Sequence, residues 1–522
     1  MTTYALQEVP SPHTPESLTE ALRGEPGRVL LRSARCELPA ERYSFATARP
    51  FLAFRSFGVR CEITAEGRTA VQFGNPWRVL DDLMARYELL DEPDVPFPLG
   101  GCFGYWGYDL KNFVEPKLSR RAVNDLEWPD CHVGFYDSLV VFDHRLSKTW
   151  IVSTGLAADG SRTEARARAG TAFWHQAIDR AIAAPAGTAV ESAIRNPQSA
   201  IDPNSAPRVP RSALEPTSSL TRTDFLAAVA HAQRYIRAGD IYQVNLSQRL
   251  AAPFTGSAWH LFERLLDLSP APFAAYLDCG DFELASSSPE LFLRLSGAQV
   301  CTRPIKGTRP RDADPTRDAQ LTYELQTSPK EMAELVMITD LLRNDLGRVC
   351  EFGSVQVPEL VRLERFAQVQ HLVSTVEGRL RPDVSHFAAL AACFPGGSIT
   401  GAPKFRAMEI IDELEPTSRG PYTGALGYLG FNRESQLSII IRAAICRAGT
   451  AWFPVGAGIV ADSDPAAEYD ETLAKARGFL GVLDSMAGHR IRRWARGRHR
   501  KRRPSSAWSP NMNRRSAKTI PS

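Results

Sequence analysis

The sequence predicts a large mixed protein of β-strands and α-helices, and three observations support this prediction. Residues 28–80 contain short, partly alternating apolar runs separated by turn residues, which is typical of strands. From Asp240 onward, patterns typical of strands and of helices follow one another to about residue 486. The 522 residues exceed the size at which one hydrophobic core stops growing, so we expect two subdomains or one large composite domain.

The composition is that of a soluble protein, with 43% hydrophobic and 23% charged residues. Residues 1–12 lack the basic and apolar regions of a signal peptide, and no run of about 18 apolar residues occurs. We therefore expect no membrane association. The nine cysteines are scattered without a C-x-x-C pair, which favours reduced thiols in the cytoplasm over disulfides or a zinc site.

Residues 1–184 are predicted to form an N-terminal subdomain. Within it we expect a helix over 76–90, a hairpin over 137–154 and a long helix over 163–183. Residues 185–220 contain six prolines and many Ser, Asn and Ala without periodicity, which predicts a linker.

Residues 221–486 are predicted to form a second subdomain, followed by a basic tail at 487–522. The tail has 12 Lys and Arg and no acidic residue, whereas the rest of the chain has 50 basic and 59 acidic residues. Because the tail lacks apolar periodicity, we expect it to be disordered and to attract polyanions only loosely. The acidic body argues against a specific nucleic-acid partner.

Lys306 follows a proline and precedes a glycine. Pro304 restricts the chain before this lysine, and Gly307 permits a sharp turn after it. A hairpin predicted to turn at 296–297 places the lysine near a strand end. By itself this pattern leaves three roles open, namely a covalent nucleophile, a charge that holds an anion, or an ordinary surface residue.

The helix predicted after Ser328 carries acids on its inward face. Ser328 is a suitable N-cap, Pro329 suits the first helical position, and Glu331 falls where a capping box requires an acid. Glu334 continues the stripe of inward-facing positions and has no such structural explanation. A carboxylate on a buried face requires a cation or a hydrogen-bond partner.

A second acidic helix is predicted after Pro465. Its residues Glu468, Glu471 and Lys475 lie on one face, which is either an exposed face with salt bridges or a site for a divalent cation and an anionic substrate. Mg²⁺ is typically bound by one or two carboxylates together with waters and substrate oxygens. Glu334 and Glu471 together are a plausible pair for such an ion.

Two glycine-rich stretches lie in the second subdomain. Residues 393–404 form a loop that leads into a helix starting near Pro403, and its free N–H groups suit a carboxylate or a phosphate. It is not a Walker A loop, because Ala402 and Pro403 separate the last glycine from the lysine. Residues 455–461 are not a dinucleotide fingerprint, because a strand is predicted to continue through them.

Five motifs occur in an order that resembles the chorismate-utilising enzymes. The resemblance is dense over residues 223–482 and looser over 28–154, where GYWGYD at 104–109 is the clearest element. No single motif is specific, but the combination is. The motifs are PIKGT at 304–308, DLLRNDLGR at 340–348, HLVS at 371–374, GAPK at 401–404 and GAGIV at 456–460.

The resemblance implies an α+β fold of antiparallel β-sheets packed face to face with helices outside, in two intertwined subdomains. It also implies chorismate as substrate and Mg²⁺ as cofactor. Lys306 and Glu290 would be catalytic, the latter as general acid and base, and His371 would lie near the reacting ring. The implied metal site comprises Glu334 and Glu471 with Glu331 and Glu468 beside them, and the implied substrate contacts are Gln243, Gly307, Thr308, Ser398, Tyr422, Arg442, Gly456, Gly458 and Lys475.

Two positions separate the branches of this family. Members that add water have a lysine in the segment 241–244, where this chain has Gln243 as the amine-adding members do. Anthranilate synthases have alanine where this chain has Lys306, whereas aminodeoxychorismate synthases use that lysine as a nucleophile. The resemblance therefore favours component I of aminodeoxychorismate synthase, with component I of anthranilate synthase as the alternative.

The chain contains no glutaminase signature, so we expect ammonia to come free or from a separate glutamine amidotransferase subunit in a heterodimer. Residues 29–33 fall where related enzymes place part of a tryptophan pocket, but Arg32 replaces the usual acid. A non-catalytic polyanion-binding protein acting through the tail is the rival of a different class. The sequence does not distinguish a folate pathway from a secondary-metabolite pathway.

Overall fold

The computed structural model describes residues 4–10, 13–33, 39–89, 94–183, 216–366 and 369–486. The fold is α+β, with the strands in two large antiparallel sheets, as expected from the resemblance. The helices are Pro15–Ala21 (α1), Pro76–Tyr87 (α2), Lys111–Val114 (α3), Glu164–Ala183 (α4), Arg222–Arg237 (α5), Ala258–Leu268 (α6), Pro315–Gln326 (α7), Pro329–Gly347 (α8), His386–Cys393 (α9), Lys404–Leu414 (α10) and Pro465–Met486 (α11).

The first sheet, sheet A, follows the order β1-β10-β9-β3-β2-β13-β14-β23-β24-β12-β11, and β20 also pairs with β12. Its strands are Ala5–Val9 (β1), Val29–Arg32 (β2), Tyr43–Thr47 (β3), Ser138–Asp143 (β9), Lys148–Ser153 (β10), Thr217–Ser218 (β11), Gln243–Pro253 (β12), Phe273–Asp278 (β13), Glu283–Ser288 (β14), Gly401–Ala402 (β20), Ala443–Arg447 (β23) and Thr450–Ile459 (β24).

The second sheet, sheet B, follows the order β17-β19-β16-β15-β22-β21-β7-β8-β4-β5-β6, and β18 also pairs with β19. Its strands are Leu52–Phe57 (β4), Arg60–Ala65 (β5), Arg68–Phe73 (β6), Gly101–Trp106 (β7), Cys131–Tyr136 (β8), Leu291–Ser296 (β15), Gln299–Arg303 (β16), Ile305–Pro310 (β17), Gln356–Arg365 (β18), Val369–Arg379 (β19), Ala425–Gly430 (β21) and Glu434–Ile439 (β22).

The two halves of the chain are interleaved in both sheets. In sheet A, β2 pairs with β13, and in sheet B, β7 pairs with β21, so strands from before and after the predicted linker share each sheet. The main core lies between the sheets, where the ring of Phe45 in sheet A meets that of Tyr428 in sheet B at 5.0 Å. Helices α6 and α11 cover the outer face of sheet A, and α7 and α8 pack on β17 of sheet B.

The predicted local elements are present, with small shifts at their ends. The hairpin at 296–297 joins β15 to β16, and the hairpin over 137–154 is β9 and β10. The helix predicted over 76–90 is α2, capped by the Asn75 side chain, and that over 163–183 is α4. The strand predicted through the second glycine-rich stretch is β24, which rules out the dinucleotide fingerprint there.

Two details differ from the sequence predictions. The Ser328 hydroxyl does accept the N–H of Glu331, at 3.4 Å, but the Glu331 carboxylate pairs with Arg309 at 3.2 Å instead of completing a capping box. The end of the predicted linker is part of the sheet, because Thr217 and Ser218 pair with β12. Residues 185–215 of that linker and the whole basic tail lie outside the described residues. Among the helices that are described, none is long and apolar enough to span a membrane.

Candidate active site

Lys306 is the second residue of β17, at a bulge. The pairing with β19 shifts by one residue between Lys306 and Thr308, and Gly307 between them has φ = 68°. A Cβ at Gly307 would lie 2.8 Å from a methyl group of Leu325 in α7, so glycine is required for both backbone and space. The bulge aims the half-buried lysine at the glycine-rich loop, where Nζ donates to the Ser398 carbonyl at 3.4 Å.

The amine of Lys306 and the carboxyl of Glu290 lie in one electrostatic environment. Burial lowers the pKa of Lys306, and the nearby charge of Lys475 lowers it further, whereas Glu334 and Glu290 oppose the shift. Burial raises the pKa of Glu290 to about 6. Hydrogen bonds from the Ser398 hydroxyl and the Ile305 N–H, together with the charge of Lys306, lower this pKa but do not offset burial. Both shifts bring the pKa values of the two groups closer to 7.

The loop over 393–403 is fixed from several sides. The Asn245 side-chain amide donates to the Ser398 carbonyl at 2.7 Å. At the start of α10, Lys404 Nζ donates to Asp345 of α8 at 2.6 Å and to the Cys393 carbonyl at 3.0 Å. These contacts hold the loop, and with it Ser398, against β12 and α8.

The predicted acidic residues come from α8 and α11, which contribute to the same side of the site. Burial raises the pKa of Glu334, and the charges of Glu331 and Glu468 add to this, while Lys306 and Lys330 oppose it. Burial also raises the pKa of Glu468, which accepts a hydrogen bond from the Ser463 hydroxyl at 2.6 Å and is repelled by Glu471.

The four predicted metal-binding acids are therefore electrostatically coupled, and carboxylate oxygens are the donors that a hard cation prefers. They do not form a complete protein cage: among the described residues, no group of three or more His, Cys, Asp or Glu side chains has the arrangement of a metal site. Glu471 is the most exposed, with 52% of its side chain accessible. Carboxylates from two helices on one side of the site suit a hard cation that would take its remaining ligands from substrate and water.

Lys475 connects α11 to the second glycine-rich stretch. Its Nζ pairs with Glu471 at 2.8 Å and donates to the Gly456 carbonyl at 2.8 Å. Gly456 lies close to Tyr422, since a Cβ there would be 3.2 Å from the Tyr422 hydroxyl. Burial raises the pKa of Tyr422 to about 12, which keeps this hydroxyl protonated as a hydrogen-bond donor at neutral pH.

The Gln243 side chain lies beside Gly458, although the residue opposite Gly458 in the β12–β24 pair is Asn245. The side chain is fully buried, and neither of its polar atoms has a hydrogen-bond partner among the residues described. A Cβ at Gly458 would lie 2.5 Å from Gln243 Nε2, so the glycine leaves room for the amide. An orphaned buried amide is costly, which is consistent with a polar group that is satisfied only when a ligand binds.

His371 lies in β19, opposite Thr308 in the β17–β19 pair that contains the Lys306 bulge. Its Nδ1 is 2.9 Å from the Thr308 hydroxyl, and burial together with the charge of Arg442 lowers the pKa of the imidazole to about 4. The ring is therefore neutral at pH 7. His371 and Arg442 line one cleft that is open to solvent.

A second cleft lies between the sheets and includes none of the predicted catalytic residues in its lining. Arg32 lines it and pairs with Glu16 at 2.5 Å, so the arginine that replaces the expected acid is itself neutralised.

Sequence reasoning missed two groups that shape the site. Asn245 lies two residues after Gln243 in β12, and its side-chain amide donates to the Ser398 carbonyl at 2.7 Å. Arg419 and Glu415 form a buried ion pair behind that loop. The only available signal was an acid and a base four residues apart just before Tyr422, which by itself is common at helix ends.

Comparison with known proteins identifies the family. Residues 41–481 match the family of chorismate binding enzymes. The chain is 37% identical over 475 residues to aminodeoxychorismate synthase component 1 of Klebsiella aerogenes (91% of this chain, 97% of that one). It is 36% identical over 474 residues to anthranilate synthase component 1 of Acetivibrio thermocellus (90% and 93%). A crystal structure of anthranilate synthase component I from Streptococcus pneumoniae superposes with a TM-score of 0.69 at 31% identity, covering 84% of this chain and 92% of that one.

The chain thus belongs to the chorismate binding enzymes. Its relatives carry the two synthase names at similar identity, so overall identity does not distinguish between these two activities.

Proposed function

We propose that this protein is component I of an aminodeoxychorismate synthase, which converts chorismate and ammonia to 4-amino-4-deoxychorismate. The observation that carries the proposal is Lys306, a half-buried amine with a lowered pKa, adjacent to a carboxyl group with a raised pKa. An amine near pKa 10.4 is almost wholly protonated at pH 7, and each unit by which its pKa falls corresponds to about 1.4 kcal/mol. Desolvation is the physical means by which enzymes make a lysine nucleophilic.

In the proposed first step, neutral Lys306 Nζ forms a bond to C2 of chorismate while the C4–O bond breaks. The two ring double bonds shift, and Glu290 protonates the departing hydroxyl, so that water leaves. The proton on the new ammonium returns to the Glu290 carboxylate. Ammonia then forms a C4–N bond as the C2–N bond breaks, the double bonds shift back, and the lysine leaves with a proton from Glu290. The enolpyruvyl group is retained.

The other predicted residues would hold the substrate in place. Arg442, Tyr422 and Lys475 supply donors suited to carboxylates, and the Ser398 loop and the amides around Gly458 supply further ones. Glu334 and Glu471, with Glu331 and Glu468 beside them, would hold Mg²⁺, which supplies neutralisation of a substrate carboxylate when bound. Undiminished turnover in EDTA would contradict this part of the proposal.

The ammonia is proposed to come from a separate glutamine amidotransferase subunit, in a heterodimer in the cytoplasm. Copurification with a glutaminase subunit, and glutamine-dependent turnover only when it is present, would support this arrangement. Turnover with glutamine by the isolated chain would contradict it.

The decisive experiment is incubation with chorismate, Mg²⁺ and ammonium, with products identified by mass and by the position of nitrogen. A product with nitrogen at C4 and the enolpyruvyl group intact supports the proposal. Anthranilate with release of pyruvate would establish the alternative, component I of anthranilate synthase, the name that two of the three relatives described above carry. Intact-protein mass during turnover should also detect a chorismate adduct, which loses water relative to the sum of the masses and maps to Lys306.

A further inference from the structure

A buried ion pair lies directly behind the Ser398 loop, and we propose that it positions the substrate side of the active site. Arg419 Nε donates to Glu415 Oε2 at 2.9 Å, and Nη2 donates to Oε1 at 2.6 Å. The two side chains are only 3% and 5% exposed, so the pair is shielded from water. Neither residue is among those expected to contact chorismate. The inference rests on the proposed site, but not on which ring carbon receives the amine.

The remaining donors of Arg419 reach three segments that carry site residues. Nη1 donates to the Ile399 carbonyl at 3.1 Å, adjacent to Ser398. Nη2 donates to the Asn245 carbonyl at 2.8 Å. The Asn245 side-chain amide donates to the Ser398 carbonyl, which also accepts a hydrogen bond from Lys306 Nζ. Nη1 also lies 3.3 Å from the Thr423 hydroxyl, in the residue after Tyr422.

Glu415 extends the same hydrogen-bond network to β12, which pairs with the segment of β24 that Lys475 contacts. Its Oε1 accepts both the N–H and the hydroxyl of Ser247, at 2.8 and 2.9 Å. Ser247 is opposite Gly456 in the β12–β24 pair, and the Gly456 carbonyl accepts Lys475 Nζ. One ion pair therefore sets the relative positions of the Ser398 loop, β12, Tyr422 and the backbone that orients Lys475.

The planar guanidinium is needed for this, and a positive charge alone is not sufficient. Arg419 serves a carboxylate, two carbonyls and a hydroxyl in fixed directions, whereas a lysine ammonium has three donors from a single point. Its guanidinium carbon also stacks 4.7 Å from the centre of the Tyr108 ring. Replacing the arginine by lysine should leave the charge in place and release the loop.

The test compares Arg419→Lys and Glu415→Gln with a matched control, Arg42→Lys. Arg42 makes a similar two-pronged pair with Asp143, at 3.0 and 2.6 Å, but just before β3 and at the end of β9, away from the predicted site residues. Chorismate consumption is measured against chorismate concentration, whatever the product, well below the unfolding temperature of each protein. We expect KM for chorismate to rise at least fivefold in Arg419→Lys and by a smaller factor in Glu415→Gln, and to stay within twofold in the control.

A purely structural role has a different signature, because loss of folded protein lowers kcat and leaves KM unchanged. Unchanged KM in Arg419→Lys would overturn the inference. If that variant does not fold, Glu415→Gln and Asn245→Ala, which removes only the amide contact to the loop, decide in its place, and unchanged KM in both overturns it. A product other than 4-amino-4-deoxychorismate would defeat the proposed function while leaving this KM comparison intact.

Discussion

Two lysines on either side of the glycine-rich loop, Lys306 and Lys404, are in contrasting environments. Lys404 is 12% exposed and has two short bonds, one of them to the carboxylate of Asp345 at 2.6 Å. Lys306 is also largely shielded, but its only hydrogen bond is a long one, at 3.4 Å, to a carbonyl among the residues described. Its neighbouring carboxylates act on it through space, and burial outweighs them in lowering its pKa.

For the nucleophile proposed at position 306, the difference implies that the absence of a short-range carboxylate partner, within the part of the chain described, matters as well as burial. An ammonium group paired at short range with a carboxylate is held in its charged form, because the pair is lost if the proton leaves. A buried amine without such a pair spends more of its time uncharged, and it is free to move towards a substrate. The following experiments challenge that distinction, beginning with the largest expected effect.

Replacing Lys306 by Ala should reduce amination at C4 by about 10²- to 10⁴-fold, the range for loss of one positioned catalytic group. Any residual product should shift towards nitrogen at C2, since direct addition there no longer competes with the lysine. Product analysis by mass and nitrogen position measures both effects. Amination at C4 that continues at full rate, with no shift towards C2, would disprove the covalent role.

Replacing Lys404 by Ala should act mainly on stability. It leaves the buried Asp345 carboxylate unpaired, which typically costs about 3–5 kcal/mol. The free energy of unfolding in urea should fall by that amount, while the nitrogen position in the product stays unchanged. Adding Asp345→Asn removes the stranded charge and should restore part of the loss. If Lys404→Ala instead altered the product, the assignment of separate roles to the two lysines would be wrong.

Glu290 should make stability depend on pH in a specific direction. Its pKa is about 6 in the folded protein against 4.5 for the ordinary group, so the folded state binds more protons between these values. Stability attributable to this group is therefore present below pH 4.5 and lost as pH rises to 6. Glu290→Gln should stabilise the protein at pH 7.5 by on the order of 2 kcal/mol, and not at pH 4.

The measurement for Glu290 is the difference in unfolding free energy between variant and parent at the two pH values, which cancels the titration of other groups. Glu164→Gln, at a carboxylate that is 62% exposed on α4, is the control and should show no comparable change. A Glu290→Gln variant with equal effects at both pH values would contradict the buried, protonatable carboxyl inferred here.

The smallest stability effect is expected at Lys475. Its pair with Glu471 is about half exposed, so Lys475→Met should change the unfolding free energy by less than about 1 kcal/mol. KM for chorismate should nevertheless rise, because the lysine is proposed to bind a substrate carboxylate. Arg168→Met breaks a comparable exposed pair with Glu164 on α4 and should leave KM unchanged. Equal KM values in the two variants would remove Lys475 from the substrate site.

Much of the local structure could be predicted because it depends on nearby residues. The turn at Ser296 and Gly297, the cap at Ser328 and the start of α10 after Pro403 follow from the conformational preferences of those residues. The placement of Lys306 near a strand end followed from the hairpin predicted to turn at 296–297. The α+β fold with face-to-face sheets came from the family motifs and is confirmed.

What could not be predicted depends on residues far apart in sequence. Glu331 pairs with Arg309, 22 positions earlier, and this tertiary contact replaced the local capping box. Arg419 is specified by carbonyls of residues 245 and 399, which nothing in its own neighbourhood indicates. Likewise, Thr217 and Ser218 form a strand only because β12 lies beside them.

The interleaving of strands from both halves of the chain has a consequence for protein dissection. Each sheet contains strands from both halves of the chain. A fragment that ends before residue 184 would therefore expose the unpaired edges of β2 and β7, and a fragment that begins after residue 215 would expose those of β13 and β21. Expressed separately, each fragment should aggregate. Coexpressed, the two fragments should associate, because β2 can then pair with β13 and β7 with β21. Lys306 and its neighbours in β17, β19 and the Ser398 loop all come from the second half of the chain, but the sheets that hold them are completed by strands of the first half, and split-protein complementation would measure that dependence.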